Sequence, residues 1–248
     1  MKQSRFTGLL FCIATAFCLA SCGGGSNEKK ATADSTAVDT VAKAPVAPPA
    51  VNTIITAPMN MAIVIHKITN YGKWLPAYEG HDSMRQANGL HSYVVARGLR
   101  DSNMVMVALK VDDVSKAKAA FKDPAMKARM QKSGVVGPPM VSFVTATWQD
   151  TAKIETTLRS QTTFMVKDWD AWQKTFEEGK QERLDNGITD RVIGHDVDDN
   201  KKVALVTAVL DTTKAFAYYK SDALKKRRAA GGVIGEPKRF LFKIANRY

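Results

Sequence analysis

An internal repeat constrains the fold of this chain more than any other feature of its sequence. A shift of 98 residues places Trp74 on Trp172, and the match continues without a gap until Pro139 meets Pro237. About a third of the aligned positions are identical, far more than composition alone would give. We interpret the repeat as a tandem duplication, which predicts two domains of one fold, each long enough to bury a modest core.

Two further segments complete the predicted domain organisation. Residues 23–58 are rich in Gly, Ala, Thr and Pro and have no apolar period, so they are predicted to form a disordered tether. The predicted boundaries are 1–22 for a signal peptide, 23–58 for the tether, 59–148 for the first repeat, 149–161 for a linker and 162–248 for the second repeat.

Hydrophobic periodicity predicts the element order β-α-β-β-α-β in each repeat, which is the ferredoxin-like arrangement. Steps of three and four residues from Tyr71 to Arg85 indicate a helix, and Asn88-Gly89 can end it with a left-handed glycine. In the first repeat the predicted elements are a strand over Met61–Ile68, a helix over Tyr71–Asn88, strands over His91–Gly98 and Met104–Val111, a helix from Asp113 with a further turn over Pro124–Lys132, a break over Gly134–Pro139 and a strand over Met140–Trp148; the second repeat begins with a strand over Thr162–Lys167.

The strand over Met104–Val111 is apolar on both faces, because Val105 and Val107 alternate with Met106 and Ala108. A ferredoxin-like sheet carries its helices on one face only, so a second sheet must cover the other face. The sequence therefore predicts an α+β fold in which the two repeats pack sheet to sheet as an intrachain α+β barrel. Because both sheets belong to one chain, we expect a monomeric barrel formed in cis.

Aromatic and basic residues follow the first strand of the first repeat at helical spacing: His66, Tyr71, Trp74, Tyr78, His81 and Arg85. This run resembles the dimeric α+β barrel superfamily, and within it the small antibiotic-biosynthesis-monooxygenase-like proteins that are often called cyclase-like. The resemblance extends over both repeats and implies the barrel fold. It does not imply one reaction, since the superfamily holds cofactor-free oxygenases, haem-degrading enzymes, isomerases and members without known activity.

The resemblance also implies that the sheet-facing side of the first helix borders a cavity. The predicted binding residues are therefore His66, Trp74, Tyr78, His81 and Arg85, with His66, His81 and Tyr78 as the candidate catalytic acid–base groups. The structural alternative makes Trp74 and Tyr78 core residues, pairs Arg85 with a carboxylate and leaves His81 half solvated.

The second repeat helps to decide between the functional and the structural interpretation of these residues. It keeps the arginine, as Arg183, but replaces the two histidines by Gly179 and Phe164. The arginine is thus interpreted as structural in both repeats, whereas the histidines mark only the first repeat as a possible site.

Several chemistries are excluded by residue type. All cysteines lie within the first 22 residues, which removes thiolate metal sites and thiol nucleophiles from the rest of the chain. The four histidines are scattered, which disfavours zinc binding. The resemblance implies that a haem-degrading member would carry an Asn–Trp–His set with its histidine on the second helix, and neither second helix here has a histidine, so haem degradation is disfavoured. We expect no metal and no cofactor.

The N-terminus has the pattern of an export signal. Lys2 and Arg5 precede the short apolar stretch Phe6–Leu19, and Leu19-Ala20-Ser21-Cys22 follows. This ending resembles the bacterial lipobox, which implies lipidation of Cys22 and anchoring in a membrane; an ordinary secretory signal is the alternative. Gly23, and not Asp, follows the cysteine, and resemblance to known lipoprotein sorting rules then implies the outer membrane. The predicted location is the cell envelope, facing the periplasm or the surface.

Basic residues exceed acidic ones, and the formal net charge is +12. The densest run is Lys225-Lys226-Arg227-Arg228, which has no interleaved aromatic residues. We interpret it as a solvated helix face, with attraction to anionic lipid headgroups as the alternative, and expect no nucleic-acid partner.

These observations leave two principal functions. The first is an envelope lipoprotein whose barrel binds a small molecule or a partner protein without catalysis. The second is a cofactor-free monooxygenase- or cyclase-like enzyme with its pocket in the first repeat; a structural adaptor is a third reading. A cavity of several hundred Å³ that reaches His66 and His81 would favour the enzyme.

Overall fold

The computed structural model describes residues 52–248. The predicted signal peptide, Cys22 and the tether up to residue 51 lie outside these residues. A short strand β1 (Ile54–Ile55) precedes two halves of the same element order. The first half consists of β2 (Met59–Ile68), α1 (Tyr71–Gly80), α2 (Asp82–Ala87), β3 (Leu90–Gly98), β4 (Met104–Val111), α3 (Val114–Lys122), α4 (Pro124–Lys132) and β5 (Val135–Asp150). The second half consists of β6 (Leu158–Val166), α5 (Trp169–Glu178), α6 (Lys180–Asp185), β7 (Ile188–Asp196), β8 (Lys202–Val209), α7 (Thr212–Tyr218), α8 (Asp222–Ala230) and β9 (Val233–Arg247).

The strands form one closed antiparallel barrel, which confirms the predicted fold class. The order of neighbouring strands is β5-β2-β4-β3-β9-β6-β8-β7, and β7 pairs with β5 to close the ring. The two halves therefore share hydrogen-bonded seams, β3 with β9 and β5 with β7, in addition to packing face to face. Strand β1 extends the edge of β5 through Ile54 opposite Asp150.

The register of the strands repeats at the same 98-residue spacing as the sequence. Met61 lies opposite Lys110 in the first half, and Arg159 lies opposite Ala208 in the second. Each position of one half therefore has a structural equivalent 98 residues away in the other half.

Strand β4 has two buried faces, as predicted. Val105 and Val107 pack under the helices of the first half, while Met106 and Ala108 point into the barrel. The barrel interior is thus a third apolar region, separate from the two regions between helices and sheet.

Helices α3 and α7 each begin after an aspartate that caps the N-terminus. The Asp113 carboxylate accepts a hydrogen bond of 2.9 Å from the backbone N–H of Lys116, and Asp211 does the same for Lys214 at 3.0 Å. A carboxylate at this position satisfies an amide that has no partner within the helix.

Three predicted elements differ from the structure. The first predicted helix is broken into α1 and α2 at His81, and the equivalent helix of the second half breaks at Gly179. Within the predicted break over Gly134–Pro139, residues 135–139 are part of β5, in which Gly137 adopts a positive φ of 70° that accommodates the irregular pairing with β2. The last residues of the predicted tether include β1.

The connection between the halves is also shorter than the predicted linker 149–161. Strand β5 continues to Asp150 and β6 begins at Leu158, so residues 151–157 join the halves. Sequence patterns missed these strand ends because their partners are distant in sequence. No helix within residues 52–248 is long and apolar enough to cross a membrane.

Candidate functional site

The structure brings the five predicted site residues together around one small cavity. It lies between the helices of the first half and the outer face of the sheet and measures about 70 Å³. Strand β2 contributes His66, helix α1 contributes Trp74 and Tyr78, the helix break contributes His81, and α2 contributes Arg85. We call it the first-half cavity.

Aromatic packing leaves little room in the first-half cavity. The rings of Trp74 and Tyr78 stack with centroids 5.0 Å apart, and His66 lies 5.5 Å from Trp74. The Tyr78 hydroxyl is 2.7 Å from the Ser92 hydroxyl, at the rim of the sheet. Trp74 is almost fully buried, as expected of a core residue.

His66 is buried without a polar partner. Its side chain is 3% exposed, and neither ring nitrogen has a hydrogen bond among the described residues. Burial lowers the pKa of His66 to about 4, so the ring is neutral near pH 7. Without an orienting group on its second nitrogen, this imidazole lacks the arrangement of an efficient acid–base catalyst.

Arg85 has the geometry of a structural residue. One terminal nitrogen donates to the carbonyl oxygen of Tyr78, and the other donates to Asp82 at 3.0 Å. The guanidinium also lies 3.8 Å from the centre of the Tyr78 ring. The guanidinium therefore donates to the Tyr78 carbonyl oxygen, at the end of the helix next to His81. A side chain that satisfies this carbonyl gives a physical reason for the break at His81.

The second half has a cavity at the equivalent place, with a volume of about 80 Å³. Phe164 and Trp172 line it where the first half has His66 and Trp74. The Arg239 guanidinium lies 3.3 Å from the centre of the Tyr219 ring, and burial lowers the pKa of Arg239 to about 10.

The predicted basic run is only partly solvated, since Arg227 forms a 2.6 Å ion pair with Glu182.

The largest cavity described in the structure lies elsewhere, inside the barrel. It measures about 450 Å³, within the range of small-molecule sites. Its wall is mostly apolar, and the inward-facing residues that form it include Met61, Ile63, Met106, Val206, Phe242 and Ile244.

Polar residues gather at one end of this barrel cavity. Arg159, Gln161 and Arg191 are buried there, whereas Arg247 is exposed. Burial and the neighbouring charges of Arg191 and Arg247 lower the pKa of Arg159 to about 10. Arg191 donates to Asp150 at 2.8 Å and to the Ala152 carbonyl at 2.6 Å.

The polar end of the barrel cavity is not among the sites predicted from the sequence. Arg159 was assigned to the linker, although the 98-residue shift places it on Met61 in the first strand. The available signal was the replacement of apolar inward positions by polar ones: Tyr93 likewise becomes Arg191. Such a change in one copy of a repeat marks a position that the fold alone does not require to be polar.

Metal binding has no geometric support among residues 52–248, where no group of three His, Cys, Asp or Glu side chains is placed to hold an ion. The polar groups that converge in the barrel are mainly arginines, which are cationic donors and offer a metal no lone pair.

Comparisons with known proteins support the fold. A candidate monooxygenase from Fusobacterium nucleatum subsp. nucleatum is 12% identical, with a TM-score of 0.50 over 77% of this chain and 94% of that chain. An anthrone oxidase-like protein is 14% identical, with a TM-score of 0.50 over 78% of this chain and 94% of that chain. No family model matches the chain, and no curated protein does. At these identities the likeness concerns the fold alone.

Proposed function

We propose that this protein is an envelope lipoprotein that binds an apolar small molecule inside its barrel without transforming it. The observation that carries the proposal is the barrel cavity of about 450 Å³ with its apolar wall. A space of this size and lining favours an apolar ligand, because burial of apolar surface drives binding.

The small volume of the first-half cavity argues against catalysis at that site and so supports binding. The enzyme hypothesis called for several hundred Å³ reaching His66 and His81, whereas this cavity measures about 70 Å³. Trp74 and Tyr78 occupy the adjoining space by stacking. A substrate in this cavity would have to displace these rings.

The location is proposed from the sequence. The lipobox-like ending at Cys22 supports a lipid anchor in the outer membrane, and residues 23–51 would tether the barrel to it. The repeated register supports an origin by tandem duplication, and both barrel seams lie within one chain, which supports a monomer.

The test measures binding of a neutral apolar probe, N-phenyl-1-naphthylamine, by its fluorescence. The protein is the full chain with Cys22→Ser, which blocks lipidation. The variant Ala108→Val/Ala204→Met fills the cavity with the residues that the opposite half carries at these positions, Val206 and Met106. We expect probe binding by the parent chain and several-fold weaker binding by this variant.

A second variant distinguishes the two locations. His81→Ala enlarges the first-half cavity and does not touch the barrel interior. If this change alters probe affinity while the barrel-filling variant does not, the ligand binds between helices and sheet and the proposal is wrong. Absence of binding by the folded parent chain would also refute it.

A further inference from the structure

The two halves differ most in chemistry at the polar end of the barrel cavity. Arg159 and Gln161 on β6 occupy the inward positions that Met61 and Ile63 occupy on β2. The apolar residues of the first half show that the barrel can be built without polar side chains at these positions. The second half therefore carries a buried arginine and amide that the architecture does not demand.

The same replacement continues on the neighbouring strands. Arg191 stands where the first half has Tyr93, and Arg247 stands where it has Gln149. Both arginines line the cavity. Three guanidinium groups thus line the cavity at positions whose first-half equivalents are uncharged.

The buried charge of Arg159 has no counter-ion within the described chain. Its side chain is 3% exposed, and it donates through Nη1 to the carbonyl oxygens of Thr156 at 2.7 Å and Leu158 at 2.9 Å. No ion pair to Arg159 and no hydrogen bond through its Nε or Nη2 occurs within residues 52–248. A charge removed from water is costly unless an opposite charge meets it.

Gln161 gives an independent sign of a missing partner. It is buried, it lines the barrel cavity, and its Oε1 atom has no hydrogen-bond partner. A buried amide oxygen without a partner loses the hydrogen bond that water would give it. Both side chains line the barrel cavity. An amide oxygen accepts hydrogen bonds, so a bound carboxylate would be held by Arg159 and not by this oxygen.

We infer that the barrel cavity takes an amphipathic organic acid, whose apolar body lies against Met106 and Phe242 and whose carboxylate is bound by Arg159 beside Gln161. This inference rests on the proposed function, since it names the class of ligand for the same cavity. A planar guanidinium with free donors matches a carboxylate in geometry as well as in charge.

The charge balance favours a monoanion. Asp150 already pairs with Arg191 at 2.8 Å, so part of the positive charge is compensated. Lys153 and Arg247 are exposed at this end, which indicates that the cavity meets solvent there. The acid would therefore enter with its apolar end first and keep its carboxylate near the mouth.

The test compares decanoate with decan-1-ol, which share an alkyl chain and differ in charge. Calorimetric titrations use the full chain with Cys22→Ser. We expect decanoate to bind about ten-fold or more tightly than decan-1-ol, because a hydrogen bond to a charged group adds that much affinity.

The variant Arg159→Met tests the assigned residue, and it installs the side chain that the first half carries at this position, Met61. We expect it to abolish the preference for decanoate while decan-1-ol still binds. Arg239→Met is the matched control, since it removes a partly buried arginine with a lowered pKa, outside the barrel. Binding of decan-1-ol also shows that each variant is folded.

The outcomes separate the two proposals. Equal affinity for both probes, or a preference for decanoate that survives Arg159→Met, overturns the organic-acid inference and leaves the binding function intact. Failure of both probes to bind the folded parent chain overturns the proposed function and the inference together.

Discussion

Arg183 and Asp190 form a buried two-point ion pair, with Nε 2.9 Å from Oδ1 and Nη2 2.6 Å from Oδ2. In the first half, the equivalent arginine pairs with a carboxylate from a different position. Ser92 occupies the position of Asp190, and Arg85 instead reaches the partly exposed Asp82 through a single bond of 3.0 Å. Both arginines also donate to the carbonyl at the end of the preceding helix, so the guanidinium is a fixed element of the fold and its carboxylate is interchangeable.

The variant Asp190→Ser should destabilise the protein by about 3 kcal/mol, because it leaves the buried Arg183 without a counter-ion. The serine copies Ser92 of the first half, so the side chain itself suits the strand. Asp82→Ala is the control and should cost about 1 kcal/mol or less, since that carboxylate is 44% exposed. Urea unfolding measures both. Similar losses for the two variants would show that the buried pair is no more important than the exposed one.

A pH dependence follows from His66. Its pKa is lowered from 6.5 to about 4 in the folded protein, so the unfolded chain binds the proton more readily between these values. Stability should therefore be complete above about pH 6.5 and decline as the pH falls toward 4, by about 3 kcal/mol from this group.

His66→Phe isolates that contribution, because Phe164 is the equivalent residue of the second half. We expect the variant to lose less stability than the parent between pH 7 and pH 4.5, as measured by unfolding at each pH. His91→Phe is a suitable comparison, since His91 is on the surface beside Asp112. Parallel pH curves for the parent chain and His66→Phe would contradict the assigned pKa.

Two glycines separate backbone strain from steric overlap. Gly187 and Gly137 both have a positive φ, of 68° and 70°. A Cβ atom at Gly187 would lie 2.5 Å from the Cβ atom of Asp211, whereas one at Gly137 meets nothing within 4 Å. Gly137→Ala should cost about 1 kcal/mol through strain alone, and Gly187→Ala should cost clearly more. Equal losses in thermal unfolding would mean that Asp211 and its helix move aside at no cost.

Much of the fold could be predicted because its signals are local and repeated. The two apolar faces of β4, for example Val107 beside Met106, required a second sheet, and the 98-residue repeat supplied one. Helical spacing likewise placed Trp74, Tyr78 and Arg85 on one face, and they line one cavity.

The remainder depends on contacts between distant residues. The helix break at His81 depends on a guanidinium one turn further along the chain, which no periodicity reports. Strand β6 was predicted from residue 162 because Leu158–Gln161 alternates apolar or small residues with Arg159 and Gln161, which suggests an exposed segment. Only the closed barrel shows that these polar side chains point inward, toward a cavity that forms between the halves.

Lipidation at Cys22 gives the prediction that is most easily checked in cells. If the lipobox-like sequence is processed, Cys22→Ser removes the attachment point, and the protein should move from the membrane fraction to the soluble envelope fraction or remain as an unprocessed precursor. Cys18→Ser is the matched control, because Cys18 lies within the apolar stretch four residues earlier and should leave anchoring unchanged. Fractionation after a high-salt wash distinguishes a lipid anchor from attraction of the basic surface to anionic headgroups, which salt screens. A Cys22→Ser protein that still sediments with salt-washed membranes, after removal of its signal sequence, would show that something other than a lipid holds it there.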